Sequence, residues 1–138
     1  MQLVQPIDIE DALRRDIDEE QPDLEPGWTC FAPPARDDLH PGCLMVTSVG
    51  GAPATAVSNE HDVSIDVWAE TDAAAMEMAN TAAGIVASLP FRALSSGRQY
   101  ATAEINALPY INPDPNRPLL PRATFRATVG IRGRAVSI

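Results

Sequence analysis

The stretch "HDVSIDVWAETDAAAMEMANTAAGIVASLP", residues 61–90, changes its hydrophobic period in mid-course, and that change limits the fold more than any other feature. Val63, Ile65 and Val67 alternate with Asp62, Ser64, Asp66 and Trp68, which reads as a strand with one apolar face. From Thr71 onward the spacing becomes three and four. Ala75, Met78, Ala79, Ala82, Ile85, Val86 and Leu89 stripe a helix over 71–89. Thr71 suits its cap, Asp72 the positive end of its dipole, and Pro90 its end. The small side chains allow a close approach to a sheet. Gly84 costs up to about 1 kcal/mol relative to alanine, so a tight packing contact is expected there.

The rest of the chain supplies further elements. Ile9, Ala12, Leu13 and Ile17 form the apolar stripe of a helix over 7–20, with Pro6 and Asp8 suited to its start. Residues 21–42 read as a proline-rich connection pinned to the body by Trp28 and Phe31. Over 43–69 hairpin strands are expected: "CLMVTSVGG" closed by its two glycines, a flexible "APATAVSNE" loop, then the alternating strand. Residues 98–137 hold the C-terminal strands. One places Ala101, Ala103, Ile105 and Ala107 on one side, and the last places Ala123, Phe125, Ala127, Val129 and Ile131 on one side. Between them "INPDPNRPLLP" is too proline-rich for regular structure and reads as an ordered loop. The expected fold is a single α+β domain over 1–138, a mixed but mostly antiparallel β-sheet with two main helices packed on it.

Chemistry is poorly signposted. No serine lies in a GxSxG elbow, no GxGxxG occurs, and a chain without lysine has no Walker A loop. His40 and His61 lack a repeated ligand spacing and read as surface residues beside turns, although with Asp37, Asp38 and Asp62 they define the metal-enzyme alternative. The carboxylates of "DIDEE", 16–20, lack the glycine of a calcium loop and read as a solvated helix end. Cys30 and Cys43, thirteen positions apart, read as thiols in a reducing compartment. The start has no basic patch followed by an apolar core, and no uncharged run is suited to spanning a bilayer. No enzymatic activity, cofactor, metal or membrane association is expected.

Charge is the remaining signal. The chain carries a net −9, yet residues 1–38 sum to −8 and residues 89–138 to +5, and all ten cations are arginine. Such a chain suits subunits meeting head to tail, or two halves neutralising each other within one fold. The net charge argues against nucleic acid as the main partner, although the basic third leaves a DNA-binding module as an alternative. Arg126, Arg132 and Arg134, with Arg122, share strand parity and form an arginine ladder; Asp62 and Asp66, with Glu70 just beyond, form an acidic one. These seven are the candidate interface or lumen residues. Their faces pair across adjacent strands of one subunit, pair between subunits, or line a channel.

Asp66-Val67-Trp68-Ala69 and Ala79, followed by Pro113-Asp114-Pro115, Pro121-Arg122 and Arg132-Gly133-Arg134, come in an order that resembles the small tail terminator proteins of long-tailed, siphovirus-type phages, the lambda-type minor tail protein family. Ala123-Thr124-Phe125 departs from the family's habit of an aromatic directly after Pro-Arg. The resemblance implies an α/β subunit assembling into a hexameric ring, a homo-oligomer that caps the tail tube. Its implied partners are the tail tube protein and a head-tail connector or neck protein, with DNA passing through the lumen without specific binding. Its implied place is the head-proximal end of the virion tail, after assembly in the host bacterial cytoplasm. Another connector or neck subunit is the nearest alternative.

Overall fold

A computed structural model describes residues 2–20, 29–31 and 39–137. The chain forms β1 (Gln2–Gln5), α1 (Ile9–Glu20), β2 (Thr29–Phe31), β3 (Cys43–Pro53), β4 (Ser58–Trp68), α2 (Asp72–Ser88), β5 (Tyr100–Ile111), β6 (Arg122–Arg132) and β7 (Arg134–Ser137). Five strands make one sheet in the order β2-β3-β4-β6-β5, antiparallel except for β2 on β3. β1 and β7 form a separate antiparallel ribbon. This is the expected single-domain α+β fold.

Both helices pack on one face of the larger sheet. Ile9, Ala12, Leu13 and Ile17 of α1 are buried, as their stripe predicts. In α2 six of the apolar positions named above are buried, with Ala83 beside them, and the seventh, Leu89, is buried just past its end. Thr71 caps α2, its Oγ1 accepting from the Ala74 N–H at 3.0 Å. Val63, Ile65 and Val67 of β4 and Ala123, Phe125, Ala127, Val129 and Ile131 of β6 complete this core at 2% exposure or less.

Several expectations are corrected. Gly84 is exposed, and a Cβ added there meets nothing within 4 Å, so no tight contact justifies it. The glycines at 50–51 do not close β3. The strand continues through a bulge at Ser48/Gly50, where Gly50 and Gly51 take positive φ (117° and 152°). A side chain at Gly51 would sit 2.1 Å from the Glu60 carbonyl oxygen, so the crossing requires glycine. The connecting loop therefore shrinks to 54–57, with Ala54 and Thr55 N–H groups both donating to the Ser58 carbonyl. α1 begins at Ile9, with Asp8 accepting from the Asp11 and Ala12 N–H groups. The anchoring roles expected of Trp28 and Phe31 lie outside what the structure describes. No helix among the described residues is long and apolar enough to cross a membrane.

Candidate functional site: the outer face of the sheet

β4 and β6 pair in unbroken register from Ser58↔Arg132 to Trp68↔Arg122. Because side chains alternate, the odd-numbered residues of both strands enter the core and the even-numbered ones face away from the helices. That outer face carries Asp62, Asp66, Arg122, Arg126 and Arg132 among the candidate residues.

The register does not put acids opposite arginines. Asp62 faces Thr128 and Asp66 faces Thr124, while Arg126 faces Ser64 and Arg132 faces Ser58. Each acid is held by a relay across three chain segments. Asn106 Nδ2 donates to Thr128 Oγ1 at 2.6 Å, and that hydroxyl donates to Asp62 Oδ1 at 2.7 Å. Asn112 Nδ2 likewise donates to Thr124 Oγ1 at 3.2 Å, which donates to Asp66 Oδ1 at 2.6 Å. Cross-strand pairing within one subunit thus occurs, with threonine in place of arginine.

Arg126 lies between the two relays, exposed, beside a shallow cavity of about 360 Å³ that it lines with Val49, Asp62 and Asn106. It makes no side-chain hydrogen bond or ion pair with the described residues; the same holds for Arg132 and Arg134. The arginines do not form one cluster. Arg126 and Arg132 stand roughly 20 Å apart along β6 at ~3.3 Å per residue. Arg134 leaves the ladder altogether: β6 ends at Arg132, and β7 pairs with β1 instead of β4. Gly133 makes the break, since a Cβ there would meet the Gln5 carbonyl oxygen at 2.3 Å. Glu70 is exposed in the turn before α2.

Arg122 has a different situation. Its Nε donates to the Asn112 carbonyl at 2.7 Å and its Nη2 to the Pro113 carbonyl at 3.3 Å, with Nη1 4.0 Å from Asp114. Its guanidinium lies 6.0 Å from the Trp68 ring centroid. Trp68 is buried on the outer face with Cys43 and Met45, beneath Leu39 and Leu120. The stretches Asp66–Ala69, 113–115 and 121–122 therefore meet in one place, around a cleft of about 590 Å³. Arg122 is engaged with its own loop, unlike the other three arginines.

The charge asymmetry is partly resolved inside the chain. Asp16, fully buried, accepts from Arg98 Nε at 2.8 Å, Arg98 Nη2 at 3.0 Å and Tyr100 Oη at 2.7 Å. Burial and the Asp16 carboxylate push the Tyr100 hydroxyl up, and hydrogen bonding to Asp16 holds Arg98 in its charged form. Arg92 Nη1 reaches Glu20 at 2.5 Å, and Ser95 bonds Glu19. The "DIDEE" segment is thus a docking surface for residues 92–100, a correction to its reading as a solvated helix end. The signal was present: Asp16 lies three and four residues after Leu13 and Ala12, on the buried stripe.

His61 is also corrected. It is 9% exposed on the core side, opposite Gly51 and Val129, with no partner for Nε2 among the described residues. Burial pulls its pKa below the usual histidine value, partly opposed by Asp62. His40 is exposed, its Nδ1 2.9 Å from the Pro41 carbonyl. Among the described residues no group of three or more His, Cys, Asp or Glu side chains is placed to hold a metal. The chain matches no protein-family model and no curated protein sequence.

Proposed function

We propose that this chain is a non-enzymatic structural protein that assembles with copies of itself into a ring, and that its role is that of a phage tail terminator. It would cap the tail tube, halt tube growth and present a surface to the head connector. The observation that carries the assembly part is the set of exposed arginines, Arg126, Arg132 and Arg134, without partners among the described residues, which do supply partners to Arg92, Arg98 and Arg122. Exposed cations left unpaired beside acids already satisfied by threonine are available to a second molecule. Exposed apolar side chains such as Leu108 at 78% and Leu119 at 96% are further points of contact for a second molecule. The phage assignment rests on the order of the motifs in the sequence; the stretches Asp66–Ala69, 113–115 and 121–122 lie together around Trp68, while Ala79 and 132–134 lie elsewhere.

Arg126→Glu tests assembly without touching the core. The variant should keep the wild-type circular dichroism and thermal midpoint while losing higher-order species. A ring of unchanged size in Arg126→Glu would remove Arg126 from the interface. Binding to isolated tail tubes and not to emptied heads supports the terminator role; the reverse preference would make the protein a connector.

A further inference from the structure

Two parts of the molecule each lack a neighbouring strand among the described residues. β5 is an outer strand of the sheet: β6 pairs with one side of its backbone and no described strand pairs with the other. It runs for twelve residues and exposes Leu108, Tyr110 (44%) and Ile111 (36%). The opposite margin, formed by the three-residue β2 and by the part of β3 beyond it, is guarded. There Glu10 Oε2 accepts the Ser48 N–H at 2.7 Å, two positive-φ glycines distort β3, and Pro53 ends it. These devices hinder strand addition. β5 also carries register shifts and Pro109, but its stretch 102–105, which holds Glu104, pairs with β6 in unbroken register and has no such device within it.

The second part is the β1–β7 ribbon. Among the described residues its two four-residue strands pair only with each other, from Gln2↔Ser137 to Gln5↔Arg134. A lone two-stranded ribbon is marginal in water and gains most from a third strand. Leu3 is 42% exposed on it.

The charges of the two parts are complementary. Glu104 is the single charged residue of β5, and Arg134 the single one of the ribbon. Both are exposed, and neither has a partner among the described residues.

We infer that the β1–β7 ribbon of one copy adds to the free edge of β5 in the next copy, with Arg134 pairing Glu104 across the contact. Backbone hydrogen bonds along the edge supply affinity, and the ion pair sets the register. Ribbon and edge are different surfaces, so the contact is heterologous and propagates head to tail until it closes. This inference rests on the assembly reading and names the surfaces that execute it.

A charge-swap cycle on the full-length chain tests it, with mass measured by light scattering over a concentration series and folding checked by circular dichroism. Glu104→Arg and Arg134→Glu should each raise the assembly dissociation constant about tenfold or more. The double swap should return it to within about threefold of wild type. Single variants that assemble like wild type, or a double swap no better than its parents, would overturn the ribbon-edge contact while leaving self-assembly standing. A wild-type chain that stays monomeric throughout would overturn both.

Discussion

The even- and odd-numbered residues of β4 and β6 come from the same two strands and do different work. The odd set, Val63, Ile65 and Val67 with Ala123, Phe125, Ala127, Val129 and Ile131, is sealed beneath the helices. The even set keeps Asp62 and Asp66 on threonine hydroxyls and leaves Arg126 and Arg132 to solvent. Stability therefore resides on the inner face and, on the outer one, in the buried cluster around Trp68, while the stretch around Arg126 is free to vary in its contacts without endangering the fold. A sheet covered by helices on one side and only near Trp68 on the other supplies such a division, because period-two alternation writes two surfaces into one segment.

Substitutions matched across that division should separate the faces. Phe125→Ala on the inner face removes a fully buried ring and should cost about 3–5 kcal/mol in denaturant unfolding. Thr128→Val on the outer face removes the donor to Asp62 and should cost no more than about 1 kcal/mol, since Asp62 is exposed. Equal losses would abolish the distinction. Asp16→Ala comes next: it leaves Arg98 and the Tyr100 hydroxyl without their shared acceptor, and about 3 kcal/mol should be lost. A loss below about 1 kcal/mol would show that the α1 attachment depends on its apolar stripe alone.

The smallest effect concerns His61, the buried polar residue on the inner face of β4. Its folded pKa is depressed by burial, so the unfolded chain binds the proton more readily. The stability this residue confers is present above the unfolded pKa of about 6.5 and is lost as pH falls through the lower folded value. The denaturant midpoint should drop between about pH 7 and pH 5.5, and His61→Leu should flatten that drop. An unchanged slope in the variant would assign it to other groups.

Much of this division was legible in the residues themselves. The apolar alternation of β4 and β6 and the stripe of α2 state their buried faces directly, because each element answers to one period. What was not legible depends on register or distant pairing. Nothing local tells that Thr128 rather than Arg126 stands opposite Asp62, since a parity argument fixes the face but not the partner. β1 is four residues long and is defined by β7 at the far end of the chain. Gly133, which ends the arginine ladder, reads as an ordinary strand residue until Gln5 is seen against it. Gly84 shows the opposite failure: a propensity cost invites a structural reason, and the exposed position has none.

The central claim is that the outer face and the free edge of β5 serve self-assembly, and the most direct measurement is the mass of the purified full-length protein by light scattering across a concentration series. The account predicts a closed species of about six copies, or a concentration-dependent shift from monomer to ring. A mass of 14.8 kDa at every concentration would contradict it.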